Sequence, residues 1–209
     1  TRRTAEGIQE RLLEAALAEF GGEGFEGAST RAIAQRIGAH QPQIHYHFAS
    51  KEALWSAAVD HLFAKLARSM DVPPARERRR AAVETLAADF AEQIRRFVRF
   101  AADNPELNRI LVHEATASSG RLAWLTGRHV KPIYDLVRAR WRRLRAAGVA
   151  APIDEALVHY VLVGAASLVF VNAPEARLLT GIEPTDPGWV ERHAEGLVAT
   201  LLPGRAAHR

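Results

Sequence analysis

The sequence contains no cysteine, so disulfides, thiolate nucleophiles and thiolate metal sites are excluded at the outset. It also lacks an apolar run long enough to cross a bilayer. The longest, Val161 to Val171, is interrupted by Gly164 and Ser167 and reads as a buried helix of a helical protein. The opening Thr1-Arg2-Arg3 leads into a charged amphipathic stretch, not an apolar leader, so the expected location is cytoplasmic. No sustained alternation of period two occurs, which removes strands from the expectation. A catalytic constellation is missing too. No Ser/His/acid order or phosphate-cradling glycine loop stands out, and His113-Glu114 lacks the second histidine of a helical zinc site. His45 and His47, two apart, point in different directions on a helix. The expectation is therefore no enzyme, no metal and no cofactor.

What is present describes a globular chain. Of 209 residues, 48% are hydrophobic and 25% charged, enough for one sizeable core or for a small domain attached to a larger one. The formal charge of +4 says little by itself, but its distribution says more. Residues 29–51 carry Arg31, Arg36 and Lys51 with no acid, and residues 121–148 carry eight Arg or Lys against Asp135 alone.

Helical periodicity runs along the whole chain. Ile8, Leu12, Leu13, Ala16, Leu17 and Phe20 give a helix over 7–20 that Gly21, Gly22 and Gly24 are expected to end. Phe25 then folds back onto it. Ser29 or Thr30 caps the next helix, whose inner stripe is Ile33, Ala34 and Ile37 and whose stop is Gly38. A short helix over 41–47 opens with Pro42, tolerated in a first turn. Ser50 caps a longer helix with Glu52 in its first turn and Leu54, Trp55, Ala58, Leu62, Phe63 and Leu66 on its apolar side. Pro73-Pro74 marks the clearest break. Beyond it, helices are expected at 76–101, 105–117, 121–147, 154–172 and 187–202, with a loop rich in Pro and Gly from Pro174 to Gly188.

Two short helices joined by a tight turn make a shape that fits a major groove. Ile33, Ala34, Ile37 and Ile44 hold the pair together, and Gly38 permits a left-handed turn. The outward side displays Gln41, Gln43 and His47. The two glutamines are candidates for base edges, since an amide both donates and accepts. Thr30 and Pro42 lie toward the groove wall, Lys51 toward phosphate, and Arg2 and Arg3 on a flexible arm that reaches a neighbouring groove or backbone. Tyr46 and Phe48 are expected to pack against the first helix and the helix after Ser50. His45 is left between capping, packing and phosphate contact.

Residues 29–54, STRAIAQRIGAHQPQIHYHFASKEAL, resemble the signature of the TetR family of bacterial transcriptional regulators, and Glu23-Gly24-Phe25 matches the segment preceding it. The resemblance implies an all-α fold: an N-terminal three-helix helix-turn-helix head linked to a helical ligand-sensing and dimerisation body. The domains expected are 1–50 for DNA binding and 51–209 for regulation and dimerisation, with 51–70 as connecting helix. The implied function is a sequence-specific regulator, a repressor released from a palindromic double-stranded operator by a small-molecule effector. By the likeness Gln41 and Pro42 touch bases and Lys51 phosphate. His45 departs from the pattern, standing where the family usually has a tyrosine that contacts the DNA backbone.

Two recognition helices related by a dyad read a palindrome, so a homodimer is expected. The seam candidates are Leu157, Val161, Gly164, Ala165 and Leu168, with Trp189, Leu197 and Leu201 from the final helix. A core role within one subunit competes for the helix 154–172. Ligand-binding candidates are Phe90, Phe97, Phe100, His113, Glu114, Trp124, His129, Tyr134 and Tyr160, many of which also suit a core. Arg138, Arg140, Arg142, Arg143 and Arg145 wind around their helix and read as a solvated face.

Overall fold

The computed structural model describes residues 2–39, 44, 46–71 and 82–205, and among these the regular elements are helices. In chain order they are α1 (Arg2–Gly27), α2 (Thr30–Arg36), α3 (Lys51–Met70), α4 (Val83–Asp103), α5 (Glu106–Ala115), α6 (Gly120–Leu125), α7 (Lys131–Ala146), α8 (Val158–Val171), α9 (Ala173–Thr180) and α10 (Pro187–Leu201). Packing separates the chain into two compact units. A head unit comprises 1–66 with 106–119, and a body unit comprises 67–105 with 120–209.

In the head unit, the apolar period of α1 buries Leu12, Ala16, Leu17 and Phe20 against Ile33 and Ala34 of α2 and Leu54, Trp55, Ala58 and Leu62 of α3. Phe25 stacks on Phe20 with ring centroids 6.0 Å apart and meets Trp55 edge-on at 6.4 Å, so it does fold back as expected. The glycines behave differently from the expectation. Helix α1 continues through Gly21 and Gly22, and its kink falls at Gly24 (φ 68, ψ 177). Gly21 serves a close approach: a Cβ there would lie 2.9 Å from Glu106 Cβ, where α5 packs along α1. Absence of a side chain thus sets a helix–helix distance here, not a helix end.

The body unit has its own core. Leu86, Phe90, Ile94 and Val98 of α4, Trp141 and Leu144 of α7, Val158, Leu162, Ala166 and Phe170 of α8, and Val190, Ala194, Val198 and Leu201 of α10 form one apolar cluster. Arg95 and Arg99 of α4 each grip a glutamate of α10 with two bonds, Glu195 at 2.5 and 3.1 Å and Glu191 at 2.5 and 2.7 Å. The expected helix 121–147 is interrupted by a π-helical turn over Thr126–Val130. Pro132, in the first turn of α7, has no N–H to donate, and the wider turn accommodates that loss. The expected loop after Pro174 instead begins with α9. Proline starts the helix and Gly181, at φ 68, ends it by donating from its N–H to the Arg177 carbonyl at 2.9 Å.

Candidate nucleic-acid interface

The head builds a turn between two small helices from local chemistry. Ser29 accepts from the Ala32 N–H at 3.4 Å and starts α2. The helix closes at Gly38, φ 68, with the Ala39 N–H donating back to the Ala34 carbonyl at 2.9 Å. Ile33, Ala34 and Ile44 are essentially inaccessible, and Phe48 is buried, so the segment after the turn is held by its apolar side. Ile37, also expected inside, is half-exposed. Ser50 then accepts from the Ala53 N–H at 3.0 Å and opens α3.

The expected base-reading residues Gln41, Pro42 and Gln43, and also His45, lie outside the described residues. His47 is half-buried, its ring 5.1 Å from that of Tyr46. Tyr46 itself corrects the expectation that it packs inward, since it is 86% exposed. It follows buried Ile44 by two positions and precedes buried Phe48 by two, which on a helix turns it to the opposite side. That offset was present in the sequence, but aromatic character outweighed it. Thr30 is half-buried at the first position of α2. Arg2 and Arg3 are not on an arm: they begin α1. Nothing in Thr4-Ala5-Glu6 breaks a helix, and extending one that is already nucleated adds a bond per residue.

Electrostatics narrow the cationic surface. Arg36 is paired with buried Glu19 at 3.2 Å, and the same carboxylate accepts from the Ser29 N–H at 3.2 Å. Lys51 donates to the Glu26 carbonyl at 3.3 Å while its ammonium sits 4.8 Å over the Phe25 ring. An ammonium carries three donors, so these contacts orient Lys51 without exhausting it. Arg31 is exposed. Deeper in the head unit, His61 and Lys65 of α3 both contact Glu14 at 2.9 Å. Burial would raise the Glu14 carboxyl, but hydrogen bonds from Lys65 and His61 outweigh it and hold it below its ordinary value. Burial pushes Glu106 up.

The ligand-binding candidates do not assemble. His113 and Glu114 belong to the head unit, the others to the body unit. His113 is exposed, its Nδ1 3.4 Å from where a Cβ on Gly24 would stand, and Glu114 is buried and accepts from Ser119 Oγ at 3.4 Å. Phe90 and Phe100 are buried, Phe90 against Trp141 at 5.9 Å, and Phe97 flanks the same core. Trp124 meets His129 edge-on at 5.4 Å, and Tyr134 meets His159 at 5.7 Å. Tyr160 is 71% exposed on α8, an outward position and not a pocket wall. Sequence reading passed over Arg140. It is buried, not part of a solvated face, and its Nη1 donates to Gln93 Oε1. Its spacing from Val137 (i+3) and Leu144 (i−4) carried that signal, while Arg138 and Arg142 do sit outward on Glu155 at 3.0 and 2.6 Å.

The seam candidates split as well. Leu157, Val161, Ala165 and Leu168 are exposed along α8, with Gly164 half-exposed between them. Leu197 and Leu201 are buried in the core of their own unit and have no surface to offer a partner. Trp189 is half-buried, stacked on His193 at 5.0 Å. Burial holds both His159 and His193 below the usual 6.5, His193 despite a hydrogen bond to the Ala165 carbonyl at 2.9 Å that favours the proton. Just below that value the unfolded chain binds protons more readily than the folded one. The stability from the neutral rings is complete above 6.5 and is lost as pH falls through the folded values. Glu155 and Glu183, held at about 2 by Arg142 and Arg177, titrate outside that window. We expect the urea midpoint of His193→Gln to decline less than that of the parent between about pH 7.5 and about pH 5. Equal declines would assign the dependence to other groups.

Comparisons with known proteins bear on the same region. The model for bacterial regulatory proteins, tetR family, matches residues 12–58, from α1 into α3. The chain is 25% identical to the HTH-type transcriptional regulator RutR of Escherichia coli (strain K12) over 209 residues, covering 97% of this chain and 92% of that one. Among solved structures, an HlyIIR mutant carrying a linker substitution superimposes with a TM-score of 0.67 at 21% identity, over 95% of this chain and 98% of that one. AibR in complex with isovaleryl coenzyme A and operator DNA superimposes with a TM-score of 0.65 at 20% identity, over 93% and 98%. At those identities the two structures speak for the architecture, in which a helical head precedes a helical body.

Proposed function

The chain belongs to the tetR family of bacterial regulatory proteins, and from that premise we propose how it acts on DNA. It is a DNA-binding transcriptional regulator that works as a homodimer, a repressor that leaves its operator when a small molecule binds. The observation that carries this reading is the left-handed turn at Gly38, followed by buried Ile44 and Phe48 with Tyr46 turned outward between them. Such a segment presents one face to a groove while the other anchors it. In this reading residues 1–50 form the DNA-binding domain and 51–209 the regulatory and dimerisation domain, with 51–70 connecting them. Gln41, Pro42 and Gln43 read bases. Thr30, His45, His47, Lys51 and the Arg2-Arg3 start of α1 contact or flank the backbone, and Tyr46 joins them.

Helix α3 runs unbroken across the division between units at Leu66 and Ala67, so a body geometry favoured by an effector can change the spacing of the two heads. Coupling requires only that the effector bind the two geometries with different affinity. Since AibR holds isovaleryl coenzyme A, an acyl-coenzyme A is a reasonable first compound in a screen. The protein acts as a regulator in the cytoplasm and not as an enzyme.

Selection of bound fragments from random duplex DNA tests the reading. A two-fold symmetric motif is expected, and a failure to enrich any sequence would overturn it. With the motif in hand, Lys51→Ala should lower the slope of log affinity against log salt by about 2 in the dimer, roughly 0.9 for each phosphate released by each head. Tyr46→Ala should weaken binding about tenfold with the slope unchanged, because a neutral phenol displaces no counterion. A Tyr46→Ala protein with parental affinity would remove that residue from the interface.

A further inference from the structure

Among the described residues, the large apolar side chains left in solvent are concentrated on one stretch of the body unit. Leu157, Tyr160, Val161 and Leu168 are 39–71% exposed on α8, and Leu178, Leu179 and Ile182 are 89, 77 and 38% exposed on α9 and the turn after it. The first group falls on the expected seam. The second does not, and α9 bends away from α8 by 78°.

The second group is held in place. Ala173 and Pro184 are buried at either end of the segment. Arg177 grips Glu183 with two bonds of 2.5 and 2.9 Å, and Thr185 Oγ1 donates to the same carboxylate at 2.8 Å. Thr180 closes the turn by donating to the Ala176 carbonyl at 2.7 Å and accepting from the Ile182 N–H at 3.2 Å. The helix stop at Gly181 completes this bracing. Two adjacent leucines are therefore displayed by a locally fastened helix end, at a cost that burial against another surface would recover.

We propose that Leu178, Leu179 and Ile182 form an apolar clasp that packs onto a second copy of this chain, extending the homodimer contact beyond α8. The proposal rests on the dimer reading above and adds to it a contact surface. Continuity supports a second copy as occupant, because the clasp follows the exposed α8 stripe directly in the same unit. Area supports it too. A stable pair buries about 800 Å² on each partner, and the outward stripe of one 14-residue helix is too narrow to supply that alone. In a two-fold pair every clasp is used twice, so a small apolar group counts double. A lipid surface suits the site less well, since Glu175, Arg177 and Glu183 ring the leucines with both signs of charge.

Sedimentation equilibrium of the full chain tests this, with Leu178→Asp/Leu179→Asp beside Leu168→Asp on α8. Both leucines are exposed in one subunit, so the double variant keeps its helical circular dichroism and its urea midpoint extrapolated to low protein concentration. Its dimer dissociation constant is expected to rise by at least about 100-fold. If Leu168→Asp dissociates the pair while the double variant stays within about threefold of the parent, the clasp is wrong and the α8 dimer stands. A parent chain that is monomeric at micromolar concentration would overturn both. Binding of the parent to phosphatidylglycerol vesicles, lost in the double variant without any change in dimerisation, would assign the leucines to a lipid surface and overturn the clasp.

Discussion

Replacing Trp141 with alanine lowers the unfolding free energy by about 3–5 kcal/mol, a large share of the 5–15 kcal/mol that holds a typical domain together. Trp141 is fully buried, packs against Phe90 at 5.9 Å, and donates from Nε1 to the Ile153 carbonyl at 3.0 Å. Alanine leaves a cavity that α4, α7 and α8 cannot all close, and it strands a carbonyl beneath the surface. Trp141→Phe retains much of the packing and loses the hydrogen bond, so it should cost roughly 1–2 kcal/mol. Urea unfolding of both variants measures the pair of effects. A loss under about 1 kcal/mol for alanine would contradict the packing of the body core.

Ile44→Ala is expected to abolish operator selectivity while leaving the body folded and dimeric. Ile44 is 1% exposed, and its carbonyl accepts the Phe48 N–H at 2.8 Å, so it is the apolar anchor of the segment that follows the Gly38 turn. Removing its side chain costs about 2–5 kcal/mol, and the loss is local to the head unit. A recognition segment that no longer keeps one orientation still attracts phosphate but cannot hold side chains against base edges. Fluorescence anisotropy should show the selected operator and an unrelated duplex bound with similar affinity, in the weak range of the latter. Retained preference of more than about 100-fold would mean that the segment is positioned by something other than Ile44.

Much of the head was legible because its signals are local. The caps at Ser29 and Ser50, the left-handed Gly38 and the inward stripe of Ile33 and Ala34 each follow from a few neighbouring residues, and the structure has them in place. Local rules fared worse where one residue type serves two ends. Glycine at 21 and 22 was read as a stop, but the backbone of α5 approaches α1 at Gly21, and no window around position 21 contains Glu106. Pro174 and Gly181 were read together as loop composition, although proline at the start and glycine past the end is also how a short helix is written.

The candidate site divides in the same way. Position on a helix face is periodic, so the outward stripe of α8 could be read directly from Leu157, Val161 and Leu168. Periodicity does not say which of two apolar faces turns inward, and α10 turned Leu197 and Leu201 into its own core. Arg140 shows the limit from the other side: charge argued for solvent, and the packing of α7 through Trp141 and Leu144 carried it inside.

From the amino-acid sequence alone came the all-α class, the helix-turn-helix pattern and the absence of thiol chemistry. These depend on neighbours within a turn or two, where bond geometry and solvation act without help. Tertiary structure alone decided that residues 106–119 pack with the head, that Arg140 lies buried and that α9 holds two leucines out in solvent. Each of those outcomes depends on which distant surfaces meet, and burial is a property of the meeting surfaces, not of the residue.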